Sequence, residues 1–157
     1  MQRVAILVDV QNVYYTTREA FGRHFNYHAL WDRVAAGCEV VEANAYAVER
    51  GDPRQQQFQA ILRRIGFSVK LKPFIQRRDG SAKGDWDVGI ALDAIEVAPR
   101  VDRVVLVSGD GDFDLLVERL RERHGVIVEV VGVTRLTADS LIRAASHFVP
   151  IEGALLR

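Results

Sequence analysis

Four polar side chains follow directly after an apolar segment in the second half of the chain. Residues 104–107 are Val-Val-Leu-Val, and the next seven positions contain Ser108, Asp110, Asp112 and Asp114. Carboxylates this close repel one another, and placing them against a folded core costs free energy unless a cation pairs with them. The alternative is that Asp110 or Asp112 caps the following helix. One cap needs one aspartate, so the sequence favours a cation-binding site.

Further acidic positions belong with this turn. Asp9 ends the first apolar segment, and Asp85 and Asp87 open a segment of helical periodicity. In an open parallel sheet, ligands bind beyond the carboxyl ends of the strands, where the strand order reverses. If the segments ending at Asp9 and at residue 107 are neighbouring strands, these carboxylates would converge there. Oxygen ligands without Cys or His suit Mg²⁺ or Mn²⁺, which can polarise a phosphodiester and generate hydroxide from bound water.

Three neighbouring side chains are candidates for substrate or water contacts. Asn12 lies one helical turn after Asp9, where it would hold a water or a phosphate oxygen, or cap its own helix. Ser108 would donate to a phosphate or to the backbone of its own turn. Lys83 precedes the acidic helix start and could meet a phosphate as a point charge.

Two other kinds of site are excluded by the same residues. An EF-hand loop beginning at Asp110 would need Gly at its sixth position and Glu at its twelfth, and the chain has Leu115 and Arg121 there. A dinucleotide-binding fingerprint would need glycines after the first strand, where Asp9 and Asn12 stand instead.

Charge is unevenly distributed along a chain whose formal net charge is zero. Residues 50–83 contain nine Lys or Arg and two Asp, a net +7, whereas residues 84–157 contain eight basic and thirteen acidic side chains, a net −5. An acidic cluster beside a basic band fits a metal-dependent enzyme that acts on a polyanion. We expect Arg77 and Arg78, in a polar loop at residues 76–84, to contact the substrate backbone.

The bulk properties predict a soluble protein of a reducing compartment. The lone Cys38 can form no internal disulfide, which suits the cytoplasm. No apolar run reaches the roughly 18 residues that a membrane span requires. A homodimer is an option that the sequence leaves open.

The order of elements predicts an α/β fold. Short apolar segments alternate with segments of helical periodicity, which is typical of a mostly parallel central sheet with helices on both faces. We expect a single domain over residues 1–157, with its core at about 3–150 and a short tail at 151–157. The predicted strands are residues 2–9, 40–48, 67–74, 104–107, 126–133 and 147–150. The predicted helices are residues 11–21, 27–37, 53–66, 85–98, 115–124 and 137–145.

Some elements carry more specific expectations. Alternating apolar and polar residues at 67–74 predict an edge strand with one solvated face. The first helix should present one stripe to the core, made by Val13, Tyr14, Thr17 and Phe21. The helix at 85–98 carries apolar residues along one side, namely Val88, Ala91, Leu92 and Ile95.

Three segments together resemble the signatures of NYN domains, specifically the LabA-like branch of the PIN-like nuclease superfamily. Residues 8–13, 83–88 and 108–113 read VDVQNV, KGDWDV and SGDGDF. The resemblance extends from residue 3 to about 150 and implies a Rossmann-like (PIN-like) three-layer sandwich. It also implies a Mg²⁺ or Mn²⁺ site and endonuclease activity, usually on RNA.

Site residues are carried over by position. The resemblance implies that Asp9, Asp87, Asp110 and Asp112 are the metal-binding and catalytic acids, with Asn12 and Ser108 as helpers. The middle motif departs from the commoner family pattern, because two residues separate its Gly84 from the Asp87-Val88 pair. Asp85 is then an extra ligand or a helix cap, and whether Asp93 joins the site stays open.

The sequence therefore predicts a cytoplasmic, metal-dependent ribonuclease. Water bound to one or two Mg²⁺ or Mn²⁺ ions would hydrolyse a phosphodiester of RNA, while the basic band binds the backbone. The alternative function is a non-catalytic RNA-binding or regulatory module that retains the acidic site.

Overall fold

A six-stranded sheet forms the centre of the molecule. The structure, a computed structural model, describes residues 1–73, 75–76, 82–83 and 85–157, with the backbone alone at 75–76 and 82–83. The sheet strands are β1 (Gln2–Asp9), β2 (Cys38–Glu49), β3 (Ser68–Pro73), β6 (Arg103–Val107), β7 (Ile127–Gly132) and β8 (His147–Pro150). Two short strands, β4 (Ile75–Gln76) and β5 (Ala82–Lys83), pair with each other in a separate hairpin.

In the described part of the chain, six α-helices connect these strands. They are α1 (Val10–Phe21), α2 (Tyr27–Ala35), α3 (Pro53–Ile65), α4 (Asp87–Val97), α5 (Asp114–His124) and α6 (Asp139–Ala144). Asn26 caps α2 and Asp52 caps α3, and each side chain accepts a backbone N–H of the first turn. None of the described helices has the length and apolar character that crossing a membrane requires.

All neighbouring strands of the six-stranded sheet are parallel, in the order β3-β2-β1-β6-β7-β8. The order reverses at β1, which lies between β2 and β6. The predicted α/β three-layer fold is thus confirmed. It follows from continuous apolar strands such as Val4–Val8, all of whose side chains are fully buried, so both faces of the sheet need a cover of helices.

Alternate residues of the central strands supply two separate cores. Val4, Ile6 and Val8 of β1 face α1, α2 and α3, whereas Ala5 and Leu7 face α4, α5 and α6. Both cores cover β1 and β6, so the two central strands are held from both sides and their carboxyl ends have fixed positions.

The edge position of β3 is confirmed, but its lysine face is not simply solvated. Lys70 and Lys72 lie on the side covered by α4, and the ammonium of Lys70 is ion-paired with Asp93 of that helix at 2.7 Å. The predicted loop at residues 76–84 falls mainly outside the described residues. At its ends the backbone forms the β4–β5 hairpin, in which Ile75 pairs with Lys83.

The expected core face of α1 was wrong in part, and the apolar side noted for α4 is not its buried side. In α1, Val13 and Thr17 are buried, but Tyr14 and Phe21 are exposed. In α4 the buried side is Ile90, Ala94 and Val97. Most of the apolar side that the sequence shows is exposed instead, with Val88 at 71%, Leu92 at 56% and Ile95 at 45%. A mainly apolar helix gives little amphipathic contrast from which to choose its buried face.

Candidate metal centre

The site lies where β1 and β6 end side by side. Val8 pairs with Val107 in the parallel ladder, so Asp9 and Ser108 leave the sheet together. The hydroxyl of Ser108, which is fully buried, donates to Oδ2 of Asp9 at 3.1 Å and accepts the backbone N–H of Asp110 at 3.2 Å. Ser108 therefore holds Asp9 and the acidic turn. The contact with Asp110 is a bond to the backbone of its own turn, one of the two alternatives that the sequence offered.

Three carboxylates converge beside this pair of strand ends. One oxygen each from Asp87, Asp110 and Asp112 lies within 4.8 Å of the other two. Asp87 comes from the first turn of α4, whereas the other two come from the turn after β6. Within the part of the chain that the structure describes, no other group of three His, Cys, Asp or Glu meets this spacing.

Asp9 lies next to this cluster without being one of its three members. Its Oδ1 accepts the amide of Asn12 in a long bond of 3.5 Å, so Asp9 is the N-cap of α1. Burial raises the pKa of Asp9 to about 6, against the lowering effect of the Ser108 and Asn12 hydrogen bonds. The negative charges of Asp110 and Asp85 raise it further.

Asp87 is also an unusually basic carboxylate. Burial raises its pKa to about 6, and the charges of Asp110, Asp85, Asp9 and Asp112 add to the rise in that order. Four acidic neighbours acting on one half-buried group make a site of concentrated negative potential. The binding of a cation would stabilise such a site, because the cation offsets the repulsion between the carboxylates.

Asn12 connects the first helix to the acidic turn. Its side-chain oxygen accepts the backbone N–H of Gly109 at 2.9 Å, so Asn12 does not cap its own helix, whose N-cap is Asp9. The carbonyl of Gly109 accepts the N–H of Ala138 at 3.1 Å. A Cβ at Gly109 would lie 2.7 Å from the carbonyl oxygen of Leu136, so any larger residue would displace this turn.

The capping interpretation of the turn is confirmed, and the same geometry is compatible with the cation interpretation. Oδ1 of Asp110 accepts the N–H of Asp112 at 2.9 Å and caps the short 3-10 turn at Gly111–Phe113. The same carboxylate takes part in the three-membered cluster, because one oxygen can cap while the other faces a ligand. Asp85 has a capping role too, since its Oδ1 accepts the N–H of Asp87 at 3.2 Å.

Asp93 lies outside the cluster and anchors the helix that supplies Asp87. Its Oδ2 accepts the hydroxyl of Tyr46 and the ammonium of Lys70, each at 2.7 Å. Tyr46 is buried and also accepts the side-chain amide of Asn44 at 3.1 Å. This network joins α4 to β2 and β3.

A second anchor fixes the segment just before α4. The indole N–H of Trp86 donates to the carbonyl of Ala47 at 2.8 Å, and the Lys72 ammonium lies 4.6 Å from a Trp86 ring centroid. Lys72 also donates to the carbonyl of Asp85 at 3.2 Å. A Cβ on Gly89 would lie 2.6 Å from the Trp86 ring, so the glycine lets the indole pack against the helix. Sequence reasoning missed both anchors, because a strand residue and a helix residue far along the chain show no joint pattern.

The structure does not test the predicted backbone-binding residues. Arg77 and Arg78 lie outside the described residues, and so does the side chain of Lys83. Among other basic residues of the band, Arg54 lies in the first turn of α3, at the carboxyl ends of the strands, where the acidic cluster also lies. Arg63 and Arg64 lie in the last turn of α3, at the amino ends of the strands, and are therefore remote from the cluster.

The donor set fits a hard divalent cation. Its members are carboxylate oxygens that are half-buried or exposed, and the pKa is raised for one member, Asp87, and for the neighbouring Asp9. Mg²⁺ and Mn²⁺ prefer such oxygen ligands and keep several waters, which a site open on one side allows.

Comparisons with known proteins agree with the geometry and with the three sequence motifs. The model of the NYN domain family matches residues 3–152. Low amplitude and bright protein LabA of Synechococcus elongatus is 29% identical over an alignment of 158 residues. The alignment covers 96% of this chain and 84% of LabA. The crystal structure of VPA0982, a protein of unknown function from Vibrio parahaemolyticus, is similar with a TM-score of 0.95 and 60% identity, over 99% of this chain and 96% of that one. The family match spans nearly the whole chain and includes every member of the acidic cluster, so this chain belongs to the NYN domain family.

Proposed function

We propose that the protein is a Mg²⁺- or Mn²⁺-dependent ribonuclease that hydrolyses phosphodiester bonds within RNA. The observation that carries the proposal is the convergence of Asp87, Asp110 and Asp112 on one point, with Asp9 beside them. Three elements distant in the sequence supply these groups, and the fold accepts their mutual repulsion. Membership of the NYN family, whose domains are generally nucleases, supports the same reaction.

The acidic residues have two kinds of role in this proposal. Asp87, Asp110 and Asp112 hold the ion, and Asp9 is a further ligand or contacts a bound water. The bound ion would polarise the phosphodiester and lower the pKa of a water. The Ser108 hydroxyl orients Asp9 through Oδ2, which leaves Oδ1, with its one long hydrogen bond, to take a proton from the attacking water.

We assign RNA binding to basic residues close to the acidic cluster. Arg77, Arg78 and Lys83 belong to the segment that leads into α4, so an RNA backbone bound by them would pass the acidic cluster. Arg54 lies at the same carboxyl ends of the strands, in the first turn of α3. We place the reaction in the cytoplasm, in keeping with the single Cys38. A homodimer remains compatible with this assignment.

The decisive experiment is cleavage of single-stranded RNA with Mg²⁺ or Mn²⁺. Asp9→Asn and Asp112→Asn should each abolish cleavage but leave RNA affinity equal or higher, because negative charge is removed near a polyanion. Glu118→Gln is the matched control, since Glu118 is an exposed acid on α5 outside the cluster. If wild type and both aspartate variants bind RNA equally and none cleaves it, the protein is an RNA-binding or regulatory module.

A further inference from the structure

Two adjacent tyrosines are exposed on the helix that begins at the candidate metal centre. Tyr14 is 39% exposed and Tyr15 is 52% exposed, whereas Val13 and Thr17 face the core. Tyr15 lies six residues after Asp9, which is about 9 Å along the helix axis at 1.5 Å per residue. The aromatic surface is therefore close enough to the carboxylates for one short polymer to contact both.

Neighbouring side chains hold these two rings in place. Arg18 donates to the Tyr14 hydroxyl at 2.7 Å, and its guanidinium carbon lies 5.8 Å from the ring centroid. His24 stacks on Tyr14 with centroids 6.1 Å apart, and Tyr15 meets Tyr14 edge to face at 5.4 Å. Since the rings are already ordered, a ligand that stacks on them gives up little side-chain freedom of the protein.

The charge around the two rings suits a polyanion. Arg18 lies one turn after Tyr14, and Arg23 precedes His24, which stacks on Tyr14; both arginines are exposed, against one exposed acid on the helix, Glu19. Aromatic rings interleaved with arginines are typical of surfaces that bind unpaired bases and their phosphates. The exposed side chains of α4 differ, because Val88, Leu92 and Ile95 are aliphatic and present no ring face to a base.

We propose that Tyr15, supported by Tyr14 and Arg18, stacks on an unpaired base of a single-stranded RNA whose backbone passes the acidic cluster. The inference rests on the proposed function and adds a base-binding subsite to it. Stacking requires a π-face and not a particular base, so this subsite would favour single-stranded over double-stranded RNA without selecting a sequence.

The test compares binding of a short single-stranded oligoadenylate in EDTA, where divalent ions cannot support cleavage. Tyr15→Ala should weaken binding between about fivefold and a hundredfold, the range for loss of one base–aromatic stack. Tyr15→Phe keeps the ring and should bind within about twofold of wild type. Phe21→Ala is the matched control, because Phe21 is an exposed aromatic at the far end of the same helix, and it should bind as wild type does.

A duplex of the same length separates stacking from general loss of affinity. Tyr15→Ala should leave duplex binding unchanged, since paired bases offer no free face at the tyrosine. Equal single-strand affinity of wild type and Tyr15→Ala, equal losses in Tyr15→Ala and Phe21→Ala, or absence of RNA binding by the wild type would each overturn the subsite. If the wild type binds RNA in this way but does not cleave it once Mg²⁺ or Mn²⁺ is restored, the nuclease is overturned and the subsite stays in place.

Discussion

The buried hydroxyl of Ser108 lies 3.1 Å from Oδ2 of Asp9, 99 residues away in the chain. Through this one hydrogen bond the ends of β1 and β6 share a polar contact just where the strand order of the sheet reverses. The same hydroxyl accepts the N–H of Asp110. Ser108 thus holds in place the carboxylate of Asp9 at the end of β1 and the backbone of Asp110 in the turn after β6.

Ser108→Ala should lower stability and weaken metal binding together. Removing the hydroxyl leaves the N–H of Asp110 and Oδ2 of Asp9 without this partner, at a cost of about 1–3 kcal/mol in the free energy of unfolding. The pKa of Asp9 should rise further, because a hydrogen bond that favours the carboxylate is lost. Urea denaturation and Mn²⁺ titration measure the two effects. Unchanged values in both would contradict the assigned role.

Metal binding should raise thermal stability by mass action. The carboxylates of Asp87, Asp110 and Asp112 repel one another without a cation, so Mn²⁺ at a hundred times its Kd should add about 2.7 kcal/mol to the free energy of unfolding. Asp110→Asn should reduce this gain while leaving the metal-free stability equal or higher. A melting temperature that does not respond to millimolar Mn²⁺ would argue against the site.

Stability without metal should fall as pH rises from about 4 to about 6. The pKa of Asp9 and of Asp87 is about 6 in the folded protein, against an ordinary value of 3.8, so the folded state binds more protons in this window. Asp9→Asn should flatten the fall, and Mn²⁺ affinity of the wild type should increase through the same pH range as protons leave the ligands. Denaturation curves at a series of pH values test both statements, and metal-free stability that rises between pH 4 and 6 would oppose them.

The ion pair between Lys70 and Asp93 should influence metal binding, although neither residue belongs to the acidic cluster. Lys70→Met and Asp93→Asn each loosen the attachment of α4 to the sheet, so each should weaken Mn²⁺ affinity by roughly tenfold, the lower end for groups that support metal ligands. The double variant should be hardly worse than either single one, because both remove the same contact. Glu96→Gln, at an exposed position of the same helix, provides the control. Additive losses would show that the two residues act separately.

The predicted substrate loop is tested by salt dependence. If Arg77 and Arg78 each contact a phosphate, replacing both with Ala should flatten the slope of log affinity against log salt by about 1.4, at roughly 0.7 per phosphate of a single strand. Mn²⁺ affinity should stay the same, because neither arginine is a ligand. An unchanged slope would move the binding face toward Arg50 and Arg54.

The sequence was sufficient to predict the sheet and most of the cluster, because the relevant information is local. Continuous β-branched segments end in polar residues at Asp9 and after Val107, and parallel sheets bring such ends together. The contacts of Ser108 with Asp9 and of Asn12 with Gly109 were beyond reach, since a hydrogen bond between residues about a hundred positions apart leaves no periodic pattern.

The helices show the opposite difficulty. Ile90 and Val88 of α4 are both aliphatic, and only packing against the sheet decides which is buried. Tyr14 fits the apolar stripe of α1 by spacing, yet it is exposed, because its hydroxyl is bound by Arg18 at the surface. In both helices the tertiary environment, and not the sequence pattern, determines the exposed face.

The central claim is that Asp87, Asp110 and Asp112 bind one divalent cation. The most direct measurement is anomalous X-ray scattering from a crystal soaked in Mn²⁺. We predict a manganese peak within about 2.3 Å of an oxygen from each of the three carboxylates, at the distances usual for hard cations. The absence of a manganese peak among these three side chains would contradict the account, whether or not manganese binds elsewhere on the protein.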